Sequence, residues 1–334
     1  MPPRRKISTE QEDKHLIEVK GLTKVYGNKT AVEDVSFKIR NGRIYGLLGP
    51  NGAGKSTTMN IIAGCLSPTE GTVLVNGYDV CTQPIEAKRQ IGYLPEQPPL
   101  FTDMTPLEYL TFVAEAKGVA DDLIDRQVKE AMNLTDLSDV KDRLIRNLSK
   151  GYRQRVGIAQ AILGSPDIVI LDEPTVGLDP QQLKEIRALI RKLGNKLTVI
   201  LSSHILSEIS ELCDHVIIIS EGRVVADSSM ADLEAQVSSD TVLHMSVKGD
   251  EEGVRGVLAT IKGVRDVVVL PSPNKKTVTL KVTTEGKGDL RDDIFFAMAE
   301  QRYAVVSMER GEHSLEEIFL SLTAKGKNRK EVQD

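Results

Sequence analysis

Short apolar runs and longer helical stretches alternate along this sequence from about residue 15. DIVILD at 167–172, LTVILSS at 197–203 and HVIIIS at 215–220 have the length and β-branched content of buried strands, and the stretches between them show helical spacing. Strands that alternate with helices are typical of a mostly parallel sheet with crossover helices. The pattern predicts an α/β domain over residues 15–228.

A helical segment interrupts this alternation. Residues 106–146 are charged, carry apolar residues at helical spacing and show no strand signal. We therefore expect about two or three helices here, which form a helical subdomain over residues 98–146.

A second domain follows a change of composition at SSMADLEAQVSSD, residues 228–240. We interpret residues 229–240 as a linker. The strand and helix signals beyond it have the order βαββαβ, which matches the split βαβ plan of a ferredoxin-like domain. The sequence predicts a small C-terminal α+β domain over residues 241–324.

The two ends of the chain are polar. The start, MPPRRKISTEQEDK, lacks the apolar segment of a secretory signal, so we expect a disordered tail over residues 1–14. A capping box at Ser314 and Glu317 predicts one more helix before a second tail at 325–334.

Composition and charge exclude several classes of protein. The net charge of −5 argues against a nucleic-acid binder that acts through bulk positive charge. The three cysteines, an odd number with wide spacing, suit a reducing compartment and fit no zinc motif. Apolar runs reach only strand length, so none is predicted to span a bilayer. We expect a cytosolic chain, unless a partner holds it at a membrane.

A glycine-rich loop carries the first chemical motif. GPNGAGKS fits the P-loop pattern G-x-x-x-x-G-K-[ST], with an apolar strand before it and a helix after it. Backbone N–H groups of such a loop converge on the β-phosphate, Lys55 is placed to reach the β- and γ-phosphates, and the Ser56 hydroxyl to bind Mg²⁺. The predicted phosphate-binding residues are Gly49, Pro50, Asn51, Gly52, Ala53, Gly54, Lys55, Ser56 and Thr57.

Two carboxylates end the buried strand IVIL. Asp172 suits the Walker B role of holding Mg²⁺, and Glu173 suits polarisation of the attacking water. The simpler interpretation, two loop acids that cap the next helix, loses weight because a P-loop lies upstream.

A second phosphate-binding device lies at NLSKGYRQRV, residues 147–156. Ser149 and Gly151 open a helix there, and a helix start attracts phosphate through its unpaired N–H groups and its dipole. The P-loop already surrounds one nucleotide. We therefore expect the second device to close over a nucleotide held by another subunit, so that two copies facing head to tail enclose two ATP molecules.

The P-loop, LSKGYRQR, ILDEP, GLDP and SSH, in this order, resemble the ATP-binding subunit of ABC transporters over residues 16–228. The resemblance implies an ATPase that uses Mg²⁺, dimerises with itself or with a second ATP-binding subunit, and drives a polytopic membrane permease on a separate chain. The LSKGYRQR and YLPE variants and the C-terminal domain resemble the type-2 exporter branch. In this family the permease docks on the helical subdomain. The chain is then expected to be cytoplasmic and peripheral at the inner face of the cell membrane.

The resemblance also implies roles for single residues. Tyr26 looks like the aromatic that stacks on adenine, Asp179 resembles the D-loop residue at the dimer interface, and His204 resembles the switch histidine at the γ-phosphate. A half-buried strand tyrosine and a structural histidine are the simpler interpretations. The switch glutamine of the family falls at Glu96 here, with Gln97 next to it, and either residue fits the role, with a slight preference for Glu96.

Two other functions compete with this interpretation. A soluble ABC ATPase that acts on nucleic acid or ribosomes usually carries two cassettes or a long coiled-coil insertion, and neither is visible in the sequence. A P-loop kinase lacks the LSKGYRQR stretch. Because the soluble ABC ATPase does not fit the sequence, we expect no nucleic-acid partner. The C-terminal domain shows no catalytic constellation, which favours dimer bracing or regulation over the sensing of a small ligand.

Overall fold

The computed structural model describes residues 15–237, 241–271, 277–285 and 289–311, together with Phe319. These residues form two compact units, the first ending at Met230 and the second beginning at Ala231.

Several sequence predictions lie outside the described residues. These are the two tails, residues 238–240 of the predicted linker, and the last helix from Ser314 apart from Phe319.

The first unit has alternating strands and helices. Its described strands are β1 His15–Tyr26, β2 Lys29–Arg40, β3 Ile44–Leu48, β4 Glu70–Val75, β5 Tyr78–Asp79, β6 Ile91–Leu94, β7 Ile168–Leu171, β8 Thr198–Ser203, β9 His215–Ser220 and β10 Arg223–Ser229. Its described helices are α1 Lys55–Ile62, α2 Pro84–Arg89, α3 Pro106–Ala116, α4 Asp121–Leu134, α5 Lys150–Ile162, α6 Pro180–Gly194 and α7 Leu206–Leu212. Helix α8, Met230–Val237, begins at the last residue of this unit.

A six-stranded sheet of order β10-β9-β3-β8-β7-β6 forms the centre of the unit. Its strands are parallel except β10, which pairs antiparallel with β9. Every residue of β3, β7 and β8 is buried, as expected for strands covered on both faces. The predicted α/β fold with a mostly parallel sheet is confirmed. The loops that follow β3, β7 and β8 therefore leave the same edge of this sheet.

A separate antiparallel sheet of order β2-β1-β4-β5 adds to this core. The turn between β4 and β5 consists of Asn76 and Gly77, with φ of 51° and 90°. Both values lie in the left-handed region that a tight two-residue hairpin requires and that Asn-Gly adopts readily.

The helical segment contains α3, α4 and two 3₁₀ turns, Ser138–Val140 and Ile145–Asn147. Helix α3 begins with a capping box, since Thr105 accepts the Glu108 N–H at 3.2 Å and Glu108 accepts the Thr105 N–H at 2.8 Å. Helices α3 and α4 share one apolar core with α5, for example through Leu110, Val128 and Val156. This packing connects the predicted helical subdomain to the helix that Ser149 opens.

The second unit contains strands β11 Thr241–Lys248, β12 Val264–Leu270, β13 Thr277–Thr284 and β14 Ala304–Gly311, and helices α9 Glu251–Ala259 and α10 Arg291–Glu300. The sheet order is β12-β13-β11-β14, and all its pairs are antiparallel. Alternate residues of β11, such as Leu243 and Met245, pack with Val254 and Ile294 of the two helices. The predicted ferredoxin-like α+β fold is confirmed.

Across the ranges that the structure describes, none of the helices is both long enough and apolar enough to cross a bilayer.

Candidate functional site

The glycine-rich loop leaves the buried strand β3 and folds tightly against its neighbours. A Cβ at Gly49 would overlap the Ile219 carbonyl, and one at Gly54 would lie 2.7 Å from the Ala31 carbonyl oxygen. Gly54 also has φ of 106°, where other residues are strained. These two positions accept only glycine for steric reasons, and the loop between them turns the chain into α1.

Lys55 is the first residue of α1 and is almost fully buried, at 6% exposure. Its ammonium donates to the carbonyl oxygens of Gly49 at 2.9 Å and Pro50 at 3.3 Å, so the lysine crosses back over the loop. The first-turn N–H groups of α1 have no acceptor within the helix, which makes this end attractive to an anion. The loop and the ammonium together form a phosphate cradle.

A cavity of about 510 Å³ opens in front of this cradle. Its described lining residues are Tyr26, Lys29, Ala31, Asn51, Gly52, Ala53, Gly54, Lys55, Ser56, Thr57, Glu96, Glu173, Val176 and His204. Tyr26 is half exposed, and the Lys24 ammonium lies 5.3 Å from its ring centroid. Glu96 is part of this lining, whereas Gln97 is not among the described lining residues. The predicted P-loop residues 51–57, Tyr26 and Glu96 thus line one cavity, whereas Gly49 and Pro50 are not among its described lining residues. The role of Tyr26 and the choice of Glu96 stay predictions.

Asp172 follows β7 and is buried beside the start of α1. Its Oδ1 accepts the Ser56 hydroxyl at 3.2 Å and the Ser202 hydroxyl at 2.6 Å. Ser56 and Asp172 therefore offer two adjacent hard oxygens, the ligands that Mg²⁺ prefers. Within the described ranges no three His, Cys, Asp or Glu side chains form a metal cage. Because Mg²⁺ in nucleotide sites takes one or two protein oxygens plus phosphates and waters, these residues fit it.

Glu173 lies between the phosphate cradle and His204. One carboxylate oxygen is 3.4 Å from the Lys55 ammonium, and the other is 3.0 Å from His204 Nδ1. The backbone of Glu173 has φ of 48°, a left-handed value that is unusual for a residue other than glycine. Its N–H donates to the Ser202 hydroxyl at 2.8 Å, which helps to hold this conformation.

Ser202 contacts both Asp172 and Glu173, and the sequence does not single it out. Its hydroxyl accepts from the Glu173 N–H and donates to Asp172, so one buried side chain fixes both carboxylates. The two serines of SSH, directly before the histidine, are the available signal in the sequence, but serines at this place also fit an ordinary strand end.

Tyr93 of β6 stays protonated close to this site. Burial raises the pKa of its phenol, and the negative charge of Asp172 raises it further. The hydroxyl donates to the Asn60 side-chain oxygen of α1 at 3.2 Å. Tyr93 therefore links α1 to the central sheet through a hydrogen bond and adds no charge near the two carboxylates.

The second predicted phosphate device is built as expected in local structure. Ser149 is the N-cap of α5 and is exposed, and its hydroxyl accepts the Tyr152 N–H at 3.4 Å. Asp179 is the N-cap of α6 and accepts the Gln182 N–H at 2.9 Å. A Cβ at Gly151 would approach the Gln182 side chain to 2.8 Å, so packing within the chain also favours glycine there. None of Ser149, Gly151 and Asp179 belongs to the described lining of the P-loop cavity.

Comparison with protein families gives one clear relationship. The family model described as ABC transporter matches residues 32–176. The linearmycin resistance ATP-binding protein of Bacillus subtilis (strain 168) is 30% identical over 311 residues, which cover 93% of this chain and 99% of the relative. The daunorubicin/doxorubicin resistance ATP-binding protein of Streptomyces peucetius is 31% identical over 92% of both chains.

Solved structures show the same fold. A dimeric ATP-binding cassette in a post-hydrolysis state with ADP and Pi bound matches with a TM-score of 0.58 and 27% identity. The match covers 64% of this chain and 98% of the cassette. The coverage agrees with a single cassette followed by a further domain.

Proposed function

This chain belongs to the ATP-binding, ATP-hydrolysing subunits of ABC transporters, and on that basis we propose that two such subunits close head to tail around two Mg-ATP and drive a separate permease. Each nucleotide would lie between the P-loop of one subunit and the start of α5 of the other. Closure and opening of this dimer would supply the motion that the permease uses.

The start of α5 carries the dimer proposal. Ser149 is exposed, heads a helix whose first N–H groups favour phosphate, and lies outside the P-loop cavity of its own chain. A phosphate site that faces away from its own nucleotide suits a nucleotide bound by a neighbour. Since one chain carries both halves of the site, two identical copies would form two complete sites.

The residues in and beside the cavity would have separate roles in ATP hydrolysis. Lys55 would hold the β- and γ-phosphates, and Ser56 with Asp172 would hold Mg²⁺, which supplies positive charge against the phosphate oxygens. Glu173 would accept a hydrogen bond from the attacking water and orient it. His204, 3.0 Å from Glu173, would hold that carboxylate in place and approach the γ-phosphate.

An exposed aromatic patch marks the proposed permease site. Phe101 and Phe112 are 50% and 43% exposed, and their ring centroids lie 5.4 Å apart. Phe101 also packs edge-on against Tyr109, whose hydroxyl bonds to Gln160 of α5. A helix of the permease that presses on this patch would therefore act on α5, the helix that Ser149 opens.

The proposed direction of transport is export. Two relatives that match almost the whole chain are resistance proteins for linearmycin and for daunorubicin and doxorubicin. Because both relatives are named for resistance to a drug, we propose a drug-like small molecule as the class of cargo.

Affinity purification of the full chain from native membranes tests the membrane assignment. We expect a polytopic membrane protein to co-purify from detergent extracts. Phe101→Asp should reduce that recovery several-fold and leave ATP binding unchanged, because the charge falls within the docking patch and not in the cavity. Leu123→Asp, on an exposed position of α4 outside the patch, is the matched control. Recovery of only ribosomal or nucleic-acid partners would favour the soluble ABC ATPase instead.

A further inference from the structure

Glu208 is a buried carboxylate that the proposed mechanism does not yet use. It lies on α7, four residues after His204, and is only 3% exposed. A carboxylate is removed from water at high cost unless hydrogen bonds or a positive charge stabilise it. The partners of Glu208 therefore indicate what this burial achieves.

Two hydroxyl groups bind the same oxygen of Glu208. Oε2 accepts from Thr175 at 2.7 Å and from Ser203 at 2.9 Å. Thr175 lies two residues after Glu173, and Ser203 immediately precedes His204. The carboxylate therefore joins the two chain segments that carry the proposed water-orienting residue and the switch histidine.

Ser203 also fixes the turn around the histidine. The Ser203 hydroxyl donates to Glu208, and its oxygen also accepts the Ile205 N–H at 3.0 Å. This second hydrogen bond joins the residues on either side of His204. Removal of the Glu208 acceptor would leave the Ser203 hydroxyl free to rotate, and the turn would lose this constraint.

The other oxygen of Glu208 faces a cation from α6. Arg187 Nη2 lies 3.6 Å from Oε1, and Arg187 also pairs with Glu211. Helix α6 begins at the N-cap Asp179, the predicted dimer-interface residue. One carboxylate thus contacts the segment after β7, the last residue of β8 and the helix that follows the predicted D-loop.

We propose that Glu208 is a positioning residue for ATP hydrolysis, which holds Glu173 and His204 in register through Thr175 and Ser203. This proposal rests on the proposed roles of Glu173 and His204. The strained φ of 48° at Glu173 makes such an anchor necessary, because a left-handed backbone persists only where its surroundings hold it. The Ser202 hydroxyl accepts the Glu173 N–H, and the Thr175 hydroxyl, two residues further along the chain, donates to Glu208.

The test measures steady-state ATPase kinetics of the full-length purified chain. Glu208→Gln keeps the size of the side chain but removes its charge. We expect kcat to fall about tenfold to a hundredfold, since small displacements of reacting groups have effects of this size, while the KM for ATP changes by less than about twofold. Glu211→Gln is the matched control. Glu211 lies on α7 like Glu208 and also pairs with Arg187, but its side chain is 41% exposed. This variant should retain wild-type kcat.

A double-mutant cycle separates positioning from a general loss of structure. Thr175→Val should lower kcat on its own, whereas Thr175→Ser, which keeps the hydroxyl, should restore most of it. In a Glu208→Ala background Thr175→Val should have little further effect, because the acceptor of the Thr175 hydroxyl is already gone. Additive losses, or a Glu208→Gln variant as active as Glu211→Gln, would overturn the proposal. Absence of ATPase activity in the wild-type chain would instead refute the proposed function.

Discussion

Replacing Glu173 with glutamine tests the proposed role of this carboxylate in orienting the attacking water. The substitution keeps the shape of the side chain but removes the charge that lies 3.4 Å from Lys55 and 3.0 Å from His204. A group that handles the proton of an attacking water contributes about a hundredfold to ten-thousandfold to the rate. We expect kcat for ATP hydrolysis to fall by an amount in this range.

Binding of ATP should respond differently from hydrolysis. Coulomb's law with an effective dielectric constant of about 20 gives roughly 5 kcal/mol of attraction at the Lys55–Glu173 distance. Glu173 competes with the phosphates for this lysine and also repels them, so its neutralisation should favour the nucleotide. Water and Mg²⁺ screen most of this effect, and we expect Mg-ATP to bind equally well or up to about tenfold more tightly.

The assay combines single-turnover hydrolysis with equilibrium binding of a fluorescent ATP analogue. Glu86→Gln, an exposed acid on α2, should match the wild type in both measurements. A Glu173→Gln variant that hydrolyses ATP within about threefold of the wild-type rate would refute the role given to this carboxylate. Loss of nucleotide binding together with activity would show that Glu173 stabilises the cavity and does not act on the water.

Two further substitutions probe the same cavity. Lys55→Ala should weaken Mg-ATP binding by about tenfold or more, because the lost ammonium is the cation of the phosphate cradle; unchanged binding by titration calorimetry would contradict the P-loop assignment. Glu96→Ala should depress permease-coupled ATPase activity far more than Gln97→Ala, because Glu96 lines the cavity. Equal, negligible effects of these two changes on activity in reconstituted vesicles would remove the switch role from both residues.

The sequence predicts the phosphate cradle well because its residues are contiguous. GPNGAGKST imposes its own backbone through Gly49 and Gly54, and it joins a strand to a helix, so local chemistry and fold agree. The same holds for Asp172 and Glu173, which follow an apolar run long enough to be recognised as a buried strand. Their neighbourhood with the P-loop then follows from the parallel sheet, whose loops leave at one edge.

Contacts between segments that are distant in the sequence could not be predicted in this way. Ser202 and Glu208 approach the Walker B segment because β7 and β8 are neighbours in the sheet. The residues of the two strands do not by themselves predict this strand order. An acidic residue on a short helix also resembles a solvated position until its burial is known. The pair Glu96 and Gln97 shows the same limit, since one residue of register decides which side chain faces the cavity.

The mass of the Glu173→Gln chain in the presence of Mg-ATP tests the head-to-tail dimer most directly. Multi-angle light scattering should give the mass of two chains with Mg-ATP and of one chain without nucleotide. Adding Ser149→Glu should abolish the dimer, because a carboxylate at the start of α5 still suits the helix dipole but repels phosphate. Ser138→Glu, at an exposed position of the helical subdomain, should leave the dimer intact. A Glu173→Gln chain that remains a monomer at saturating Mg-ATP, or a dimer indifferent to Ser149→Glu, would contradict the account.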